Sequence, residues 1–302
     1  MTSHFVPRAL RNVGAGRSLI GLSAALCVGS LVLAARHAHG LPGRPADDGA
    51  YTLQRVYTKG EVDRYKMKAE VHSDGSAFNG ATKIVINIVL KEQTRTVKDD
   101  GNAVLNDISE QASADLGDNN KTDLTAFLPA ITQTRDRQSH ILESKIEGGL
   151  PGAGDMVSQI ANALRCFYPS KPVKIGDSWD IEYDDKKPTS TSKTKGKSTL
   201  LAIEAVGGMQ TAKIRVVTDS SGEVEDPGSH EKAKVSSHLD QVGNMDIKTG
   251  KIVLMSAKTT FKGSSITDTQ IEWKLSTGDD KDNAAPADKK DAGKSTTKSG
   301  GR

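Results

Sequence analysis

From Arg64 to Val71 the side chains alternate without a break: Tyr65, Met67, Ala69 and Val71 are interleaved with Arg64, Lys66, Lys68 and Glu70. A helix would scatter these apolar groups around its circumference. A strand gathers them on one face, because its successive side chains point to opposite sides. The stretch is therefore a half-buried strand with a charged outer surface. Ile84, Ile86, Ile88 and Leu90 repeat the pattern, and Val85 and Val89 predict cover on the second face as well. Trp179, Ile181 and Tyr183 follow, then Ala212, Ile214 and Val216, then Val253, Met255 and Ala257, and last Thr269, Ile271, Trp273 and Leu275. Between them lie Asp99-Asp100-Gly101-Asn102, Gly207-Gly208 and Lys248-Thr249-Gly250, which are turn chemistry. The expected fold class is mainly β, an antiparallel meander forming a curved sheet, half-barrel or sandwich.

One segment departs from period two. Met156, Val157, Ile160, Ala161 and Leu164 recur at helical spacing, with Gly154-Asp155 before them and Pro169 after. A single short central helix over 155–167 is predicted. The stretches on either side of it look alike. Lys59-Gly60-Glu61 leads into Tyr65 and Met67, five and seven positions beyond Gly60; Ile175-Gly176-Asp177 leads into Ile181 and Tyr183 at the same offsets. Arg135-Asp136 to Glu147 likewise parallels Met245-Asp246 to Thr260. The spacing predicts a tandem duplication with halves 51–149 and 172–276. The competing reading is that any two β-meanders align this well.

Residues 18–35 form the one long apolar run, and Arg8, Arg11 and Arg17 precede it. A charged start, an apolar centre and small residues at the end read as a signal peptide over 1–35, cut at Ala35 or Gly40. The alternative is a retained N-terminal membrane anchor, and either reading leaves the rest of the chain outside the cytoplasm, secreted or periplasmic. Cys27 is not expected to be a lipoprotein cysteine, since Leu26 stands where a small residue is needed. Removing 1–35 takes three Arg and no acid from 41 basic and 38 acidic residues, which leaves 38 of each. A neutral chain has no long-range pull on nucleic acid or anionic lipid, so no nucleic-acid partner is expected, and membrane contact only through an uncleaved N-terminus. Cys166 is then the sole cysteine, which excludes an intramolecular disulfide. It reads as a small buried hydrophobe rather than a nucleophile.

Residues 36–50 read as a linker and 277–302 as a disordered tail, rich in Lys, Asp, Ser, Thr and Gly and without an aromatic group. Residues 184–197 (DDKKPTSTSKTKGK) have no apolar side chain and read as an unstructured polar insertion. No serine-hydrolase elbow, zinc-binding helix, phosphate loop or cysteine pair occurs, so no catalytic residue, cofactor or metal site is assigned. His37, His39, His72, His140, His230 and His238 are scattered, and His238 should face solvent. Asp115, Asp118, Asn120 and Asp123 offer oxygen ligands near a glycine, but their spacing fits no EF-hand or repeat-type calcium loop.

The most distinctive string is Tyr168-Pro169-Ser170-Lys171-Pro172-Val173-Lys174-Ile175-Gly176-Asp177-Ser178-Trp179. Set between two β-rich halves, it resembles a family of secreted bacterial β-rich proteins with no assigned activity, and the resemblance supplies no catalytic residues. The architecture of a meander with few helices also resembles LolA-like and LppX-like envelope proteins. That resemblance implies a curved sheet holding acyl chains. Aromatic residues are only 4% of the chain, so any concave apolar face would be lined by Ile, Val, Leu, Met and Ala, which suits acyl chains better than sugars. The expectation is a non-enzymatic envelope protein binding an apolar or lipid ligand. The alternative is a structural or protein-interaction module of the envelope. A third reading, a hydrolase, requires His140, Glu143 and the Asp115 to Asp123 cluster to converge in one cleft.

Overall fold

The computed structural model describes residues 49–73, 83–117, 121–149, 167–187, 190–225, 232–263 and 266–276. The predicted signal peptide, almost all of the 36–50 linker, the helix at 155–167 except Phe167, Cys166 and the 277–302 tail lie outside the described residues. The strands are β1 (Val62–Ser73), β2 (Lys83–Val97), β3 (Ala103–Asp115), β4 (Lys121–Asp123), β5 (Ala130–Arg135) and β6 (Ile141–Glu147). They continue with β7 (Ser178–Lys187), β8 (Ser190–Val206), β9 (Met209–Glu225), β10 (Lys232–Asp246), β11 (Ile252–Lys262) and β12 (Ile266–Leu275). All belong to one antiparallel sheet in the order β6-β5-β3-β2-β1-β12-β11-β10-β9-β8-β7, with β4 beside β3. The sheet is not closed into a barrel. Each predicted strand and turn named above is present, so the mainly β fold class and the curved meander hold.

Period two is carried into burial. In β1 the odd positions from Asp63 to Val71 are buried and the even ones mostly exposed. In β2, Ile84 to Leu90 are buried, while Val85 and Val89 are half-buried on the other face with exposed Asn87 between them. The outer face carries exposed ion pairs, Arg64 with Glu110 at 2.8 Å, Arg215 with Asp240 at 2.8 Å and Lys195 with Glu182 at 2.8 Å. Such pairs add little stability, but they mark this as the water-facing side.

A single sheet can bury one face only by curling it inward. The curl shows at the end where β1 begins. There the backbone N–H of Arg55 donates to the carbonyl of Arg137 (2.8 Å) in the β5–β6 turn, and the next residue, Val56, donates to Thr249 (2.8 Å) in the β10–β11 turn. Five strand steps separate β5 from β11, an arc of about 24 Å at about 4.8 Å per step. Two neighbouring residues and their hydrogen bonds span less than about 10 Å. The sheet is therefore bent sharply at this end. Four of the five register shifts in its ladders, at Thr94/Thr96, Thr134/Arg135, Leu200/Ala202 and Asn244/Met245, lie toward the same end. Bulges increase local twist and bend, which gives the curvature its covalent origin.

Two irregular segments close that end. Residues 50–61 form a strap that also pairs Tyr51 with Val173 and places Leu53 in the second core cluster. Residues 167–173 cross nearby, with the Tyr168 hydroxyl donating to the Gly250 carbonyl (2.6 Å) and its N–H to Gln138 (3.3 Å). Phe167 lies between His140 and Tyr183, with ring centroids 5.6 and 5.5 Å away. The turns heading β1 and β7 make the same bonds. Glu61 N–H reaches Thr58 as Asp177 N–H reaches Lys174, and Gly60 N–H reaches Thr94 as Gly176 N–H reaches Leu200. Both glycines have positive φ, 83° and 95°.

Residues 184–197 correct the sequence expectation. Residues 184–187 and 190–197 are not an insertion but belong to the two strands of the β7–β8 hairpin. Lys193, Lys195 and Lys197 face outward while Thr194 and Ser198 are fully buried, Thr194 bonded to Ser220 at 2.7 Å. The alternation is intact, but hydroxyls occupy the inward positions that apolar side chains fill elsewhere.

Candidate functional site

The inner face has a charged end and a long middle, each fixed by the strand register. At the strapped end Asp63 of β1 stands opposite Glu92 of β2, and Glu92 opposite Asp107 of β3. All three carboxylates point inward and are buried. Like charges directly opposed on neighbouring strands repel, so this ladder requires cations brought from elsewhere. Three supply them. Arg55 of the strap contacts Asp63 at 3.3 Å and Glu92 at 3.5 Å. Arg135 of β5 contacts Glu92 at 2.7 Å and Asp107 at 2.9 Å, and its Nε donates to Gln133 at 2.9 Å. Lys251, just before β11, contacts Asp63 and Glu61 at 2.6 Å each. The Arg55 guanidinium also lies 4.9 Å from the centre of the Tyr57 ring. The cluster joins the strap, β1, β2, β3, β5 and the β10–β11 turn in one polar clasp.

Burial works against every charge in it, and the ladder decides which survive. For Arg55 and Arg135 burial pulls the pKa down, but the acidic groups around them outweigh it, Tyr65 and then Glu92 for Arg55, Asp107 and Glu92 for Arg135, and hold both firmly protonated. For Glu92 burial is again the largest influence, yet Arg135 and Arg55 overcome it and keep the carboxyl below its ordinary value. Asp63 goes the other way, since burial outweighs Lys251 and Arg55 and its carboxyl is raised. Burial pushes the Tyr57 phenol up to about 12.

The two carboxyls therefore contribute to acid stability with opposite signs. The Glu92 contribution is complete above its ordinary 4.5 and is lost as pH falls through its lower folded value. Asp63 binds its proton more readily when folded, so stability is lost as pH rises from its ordinary 3.8 through its raised folded value. In wild type the two slopes oppose each other. Asp63→Asn should leave the Glu92 slope uncompensated, so urea midpoints from about pH 3 to 6 should fall more steeply toward acid in the variant. An equal or shallower fall would show that Asp63 does not carry the opposing term.

Beyond the clasp the two walls differ. The β1–β3 wall is apolar, with Met67, Ala69, Val71, Ile84, Ile86, Ile88, Ala112 and Ala114 in one cluster with Leu239, Met255, Ala257, Ile271 and Trp273. The β8–β12 wall adds Thr194, Ser198, Thr218, Ser220, Ser237, Thr259, Thr267 and Thr269, all buried. Several polar atoms here have no hydrogen-bond partner: Ser198 Oγ, Ser237 Oγ, Thr267 Oγ1, Trp273 Nε1 and both amide atoms of Gln241, which is itself fully buried. Native proteins bond the great majority of such groups, and each one left unbonded costs about 1–3 kcal/mol.

The constellation considered for a hydrolase does not form. His140 sits in the β5–β6 turn at the strapped end, its Nδ1 2.8 Å from Asp136. Asp115 closes β3 at the opposite end, and the twelve residues from Ala103 to Asp115 put about 40 Å between them. His238 is exposed on β10, 2.8 Å from Asp219, as expected. His72 is exposed near the end of β1. His37, His39, Asp118, Asn120 and His230 lie outside the described residues. Among the described residues no group of three or more His, Cys, Asp or Glu could hold a metal ion.

Glu61 and Arg135 enter the sequence pattern only as landmarks of the suspected duplication, and the other clasp residues and Gln241 not at all, although a signal exists. Extending the inward phase of β1 back from Tyr65 reaches Asp63, and extending that of β2 forward from Leu90 reaches Glu92.

No family model matches this chain, and no curated protein does. Among solved structures it is similar to a mutant of Rh. blastica porin, at 8% identity over 72% of this chain and 99% of that one, with a TM-score of 0.25. A structure described as "Asymmetric conductivity of engineered proteins" gives the same identity, coverage and TM-score. The likeness is too slight to carry an argument. The side-chain pattern is also the reverse of a membrane barrel, since outward Arg64, Lys66, Lys68 and Glu70 would face lipid while the apolar rows face inward.

Proposed function

We propose that this is a non-enzymatic extracytoplasmic protein that holds an apolar or lipid ligand against the inner face of its curved sheet. The observation that carries the reading is the inner face itself, an apolar wall on β1–β3 continued by a wall where buried polar atoms find no protein partner. A pure packing core has no use for such groups. A ligand face needs a few of them to orient what it binds. The predicted export signal puts this face in the cell envelope or beyond it, where amphiphiles must be shielded from water.

Purification of the native protein from its own envelope, followed by lipid extraction and mass spectrometry, should recover a stoichiometric amphiphile. Protein that is uniformly empty from every growth condition would refute the reading. The second reading, an interaction module of the envelope, is favoured by the β6 edge strand, which has a partner on one side only among the described residues and exposes Leu142 and Ile146. Empty native protein that crosslinks to an envelope protein through cysteines placed on β6 would support it instead.

A further inference from the structure

We infer that Gln241, flanked by Ser198 and Trp273, is the polar anchor of the inner face and takes an uncharged head group, so that the protein selects neutral amphiphiles over fatty carboxylates. This rests on the ligand reading above and narrows it.

The sheet register brings the three together. Gln241 of β10 stands opposite Val216 of β9, which stands opposite Ser198 of β8. On the other side Gln241 faces Ala257 of β11, and Ala257 faces Ile271 of β12, one inward position before Trp273. Ser198, Gln241 and Trp273 thus lie on alternate strands of one face, Gln241 about 10 Å from Ser198 and about 12 Å from Trp273 at the backbone, with the outer two about 20 Å apart measured along the curled sheet. Long side chains reach across such a gap, and only Val216 and Ala257 stand between. Trp273 is fixed by stacking on Tyr65, with centroids 5.1 Å apart. Ser198 and Gln241 are fully buried and Trp273 is 6% exposed. Their polar atoms are closed to water as well as unbonded, so the ligand-free chain is less stable than its apolar contacts alone would make it.

The chemistry of the set is specific. The Gln241 amide donates and accepts, the Ser198 hydroxyl does both, and the Trp273 indole only donates. Together they match an ester or amide carbonyl beside a hydroxyl. They do not match a carboxylate, which requires a cation when taken out of water. The charged side chains buried among the described residues, Arg55, Asp63, Glu92 and Asp107, all belong to the clasp, and Arg135 and Lys251 are bound to its carboxylates. Gln241 aligns through Ala257 and Ile271 with Ala69, which is six residues along β1 from Asp63, a separation of about 20 Å. No clasp cation reaches that far. The apolar β1–β3 wall then takes the chain of the amphiphile.

The test uses the full chain, freed of endogenous lipid, and titrates glycerol monolaurate and laurate below their micellar concentrations. The two probes share a chain and differ in charge. With Trp179→Phe, Trp273 becomes the only indole of the two in the sequence, and its emission reports occupancy directly. The ester is expected to bind at least about tenfold more tightly than laurate at pH 8 and to raise the melting temperature. Gln241→Met, close in size but without the amide, should weaken the ester about tenfold and leave laurate unchanged. Trp273→Phe, read by melting shift, should weaken the ester alone as well, and it serves if Gln241→Met does not fold. Equal binding of both probes, or wild-type ester affinity in either variant, would overturn the anchor while leaving the ligand reading in place. Binding of neither probe, together with Gln241→Met melting higher than wild type, would refute both, because Gln241 would then be a plain packing defect.

Discussion

Replacing Arg135 with methionine is expected to lower folding stability by about 3–5 kcal/mol, measured as a shift in the urea midpoint at pH 7. The side chain makes three polar contacts, to Glu92 at 2.7 Å, Asp107 at 2.9 Å and Gln133 at 2.9 Å. Methionine preserves length and apolar packing but takes the Arg135 cation from two carboxylates that are almost entirely out of water, and Glu92 is left with Arg55 at 3.5 Å. Asp107 is 2% exposed and Glu92 7%, so neither can be rehydrated without opening the end of the sheet. Exchanging both ends of one contact, Arg135→Met with Asp107→Leu, should recover much of the loss, because the harm lies in the uncompensated charge. Arg215→Met provides the contrast. Its partner Asp240 is also paired at 2.8 Å, but both are exposed, and the expected loss is a small fraction of that for Arg135→Met. Similar midpoints for Arg135→Met and Arg215→Met would show that the clasp does not hold the sheet end closed.

Gly250→Ala should be nearly as damaging, by a different route. Gly250 has a φ of +66°, and an added Cβ would lie 2.3 Å from the Gln54 carbonyl oxygen and 2.8 Å from the Arg55 Cα. Those are backbone atoms of the strap and cannot turn aside. Gly208 shares the backbone conformation (φ +78°) but has nothing within 4 Å. Gly208→Ala should therefore cost only the left-handed strain, about 1–2 kcal/mol. Gly250→Ala should add the loss of the docked strap, for a total on the order of 3 kcal/mol or more. Limited trypsin digestion separates the two directly, with early cleavage after Arg55 or Lys59 in Gly250→Ala and not in Gly208→Ala. Equal destabilisation and equal resistance of the strap would mean that the contact at Gln54 is not what Gly250 serves.

What sequence can reveal here follows from what each feature depends on. Strands such as Tyr65 to Val71 and Ala212 to Val216 are legible because period two is local and apolar. In the β7–β8 hairpin the start of β7, Trp179 to Tyr183, is legible, but β8 escapes because its inward row begins with Thr194 and Ser198, so a search for apolar alternation passes over it. The clasp depends on register. Asp63 and Glu92 each fall in the inward phase of their strands, but their facing each other and Asp107 requires knowing the offsets across two strand pairs. The bulge that passes over Glu110, between Ser109 and Gln111, shifts the inward phase of β3 from odd to even positions. Arg55 contacts Thr249, 194 residues away, and no local pattern encodes such a contact. Gln241 is illegible for the same reason, since a polar residue inside a strand looks outward until its neighbours are placed.

The pairing of β1 with β12, Tyr65 opposite Leu275, has a consequence for the time course of folding. Most other neighbours in the sheet are joined by short connections and can zip as hairpins soon after they emerge. One edge of β1 stays without its partner until β12 has been made, and the strap must wait for the β10–β11 turn. Through that interval β1 displays an open strand edge, and Asp63 on it still lacks Lys251, whereas Glu92 and Asp107 on β2 and β3 already have Arg135 of β5. The charge of Asp63 disfavours a second copy at that edge. A carboxylate that burdens the finished structure thus helps to protect the unfinished one, and the β10–β11 turn that comes with completion of the sheet brings its cation.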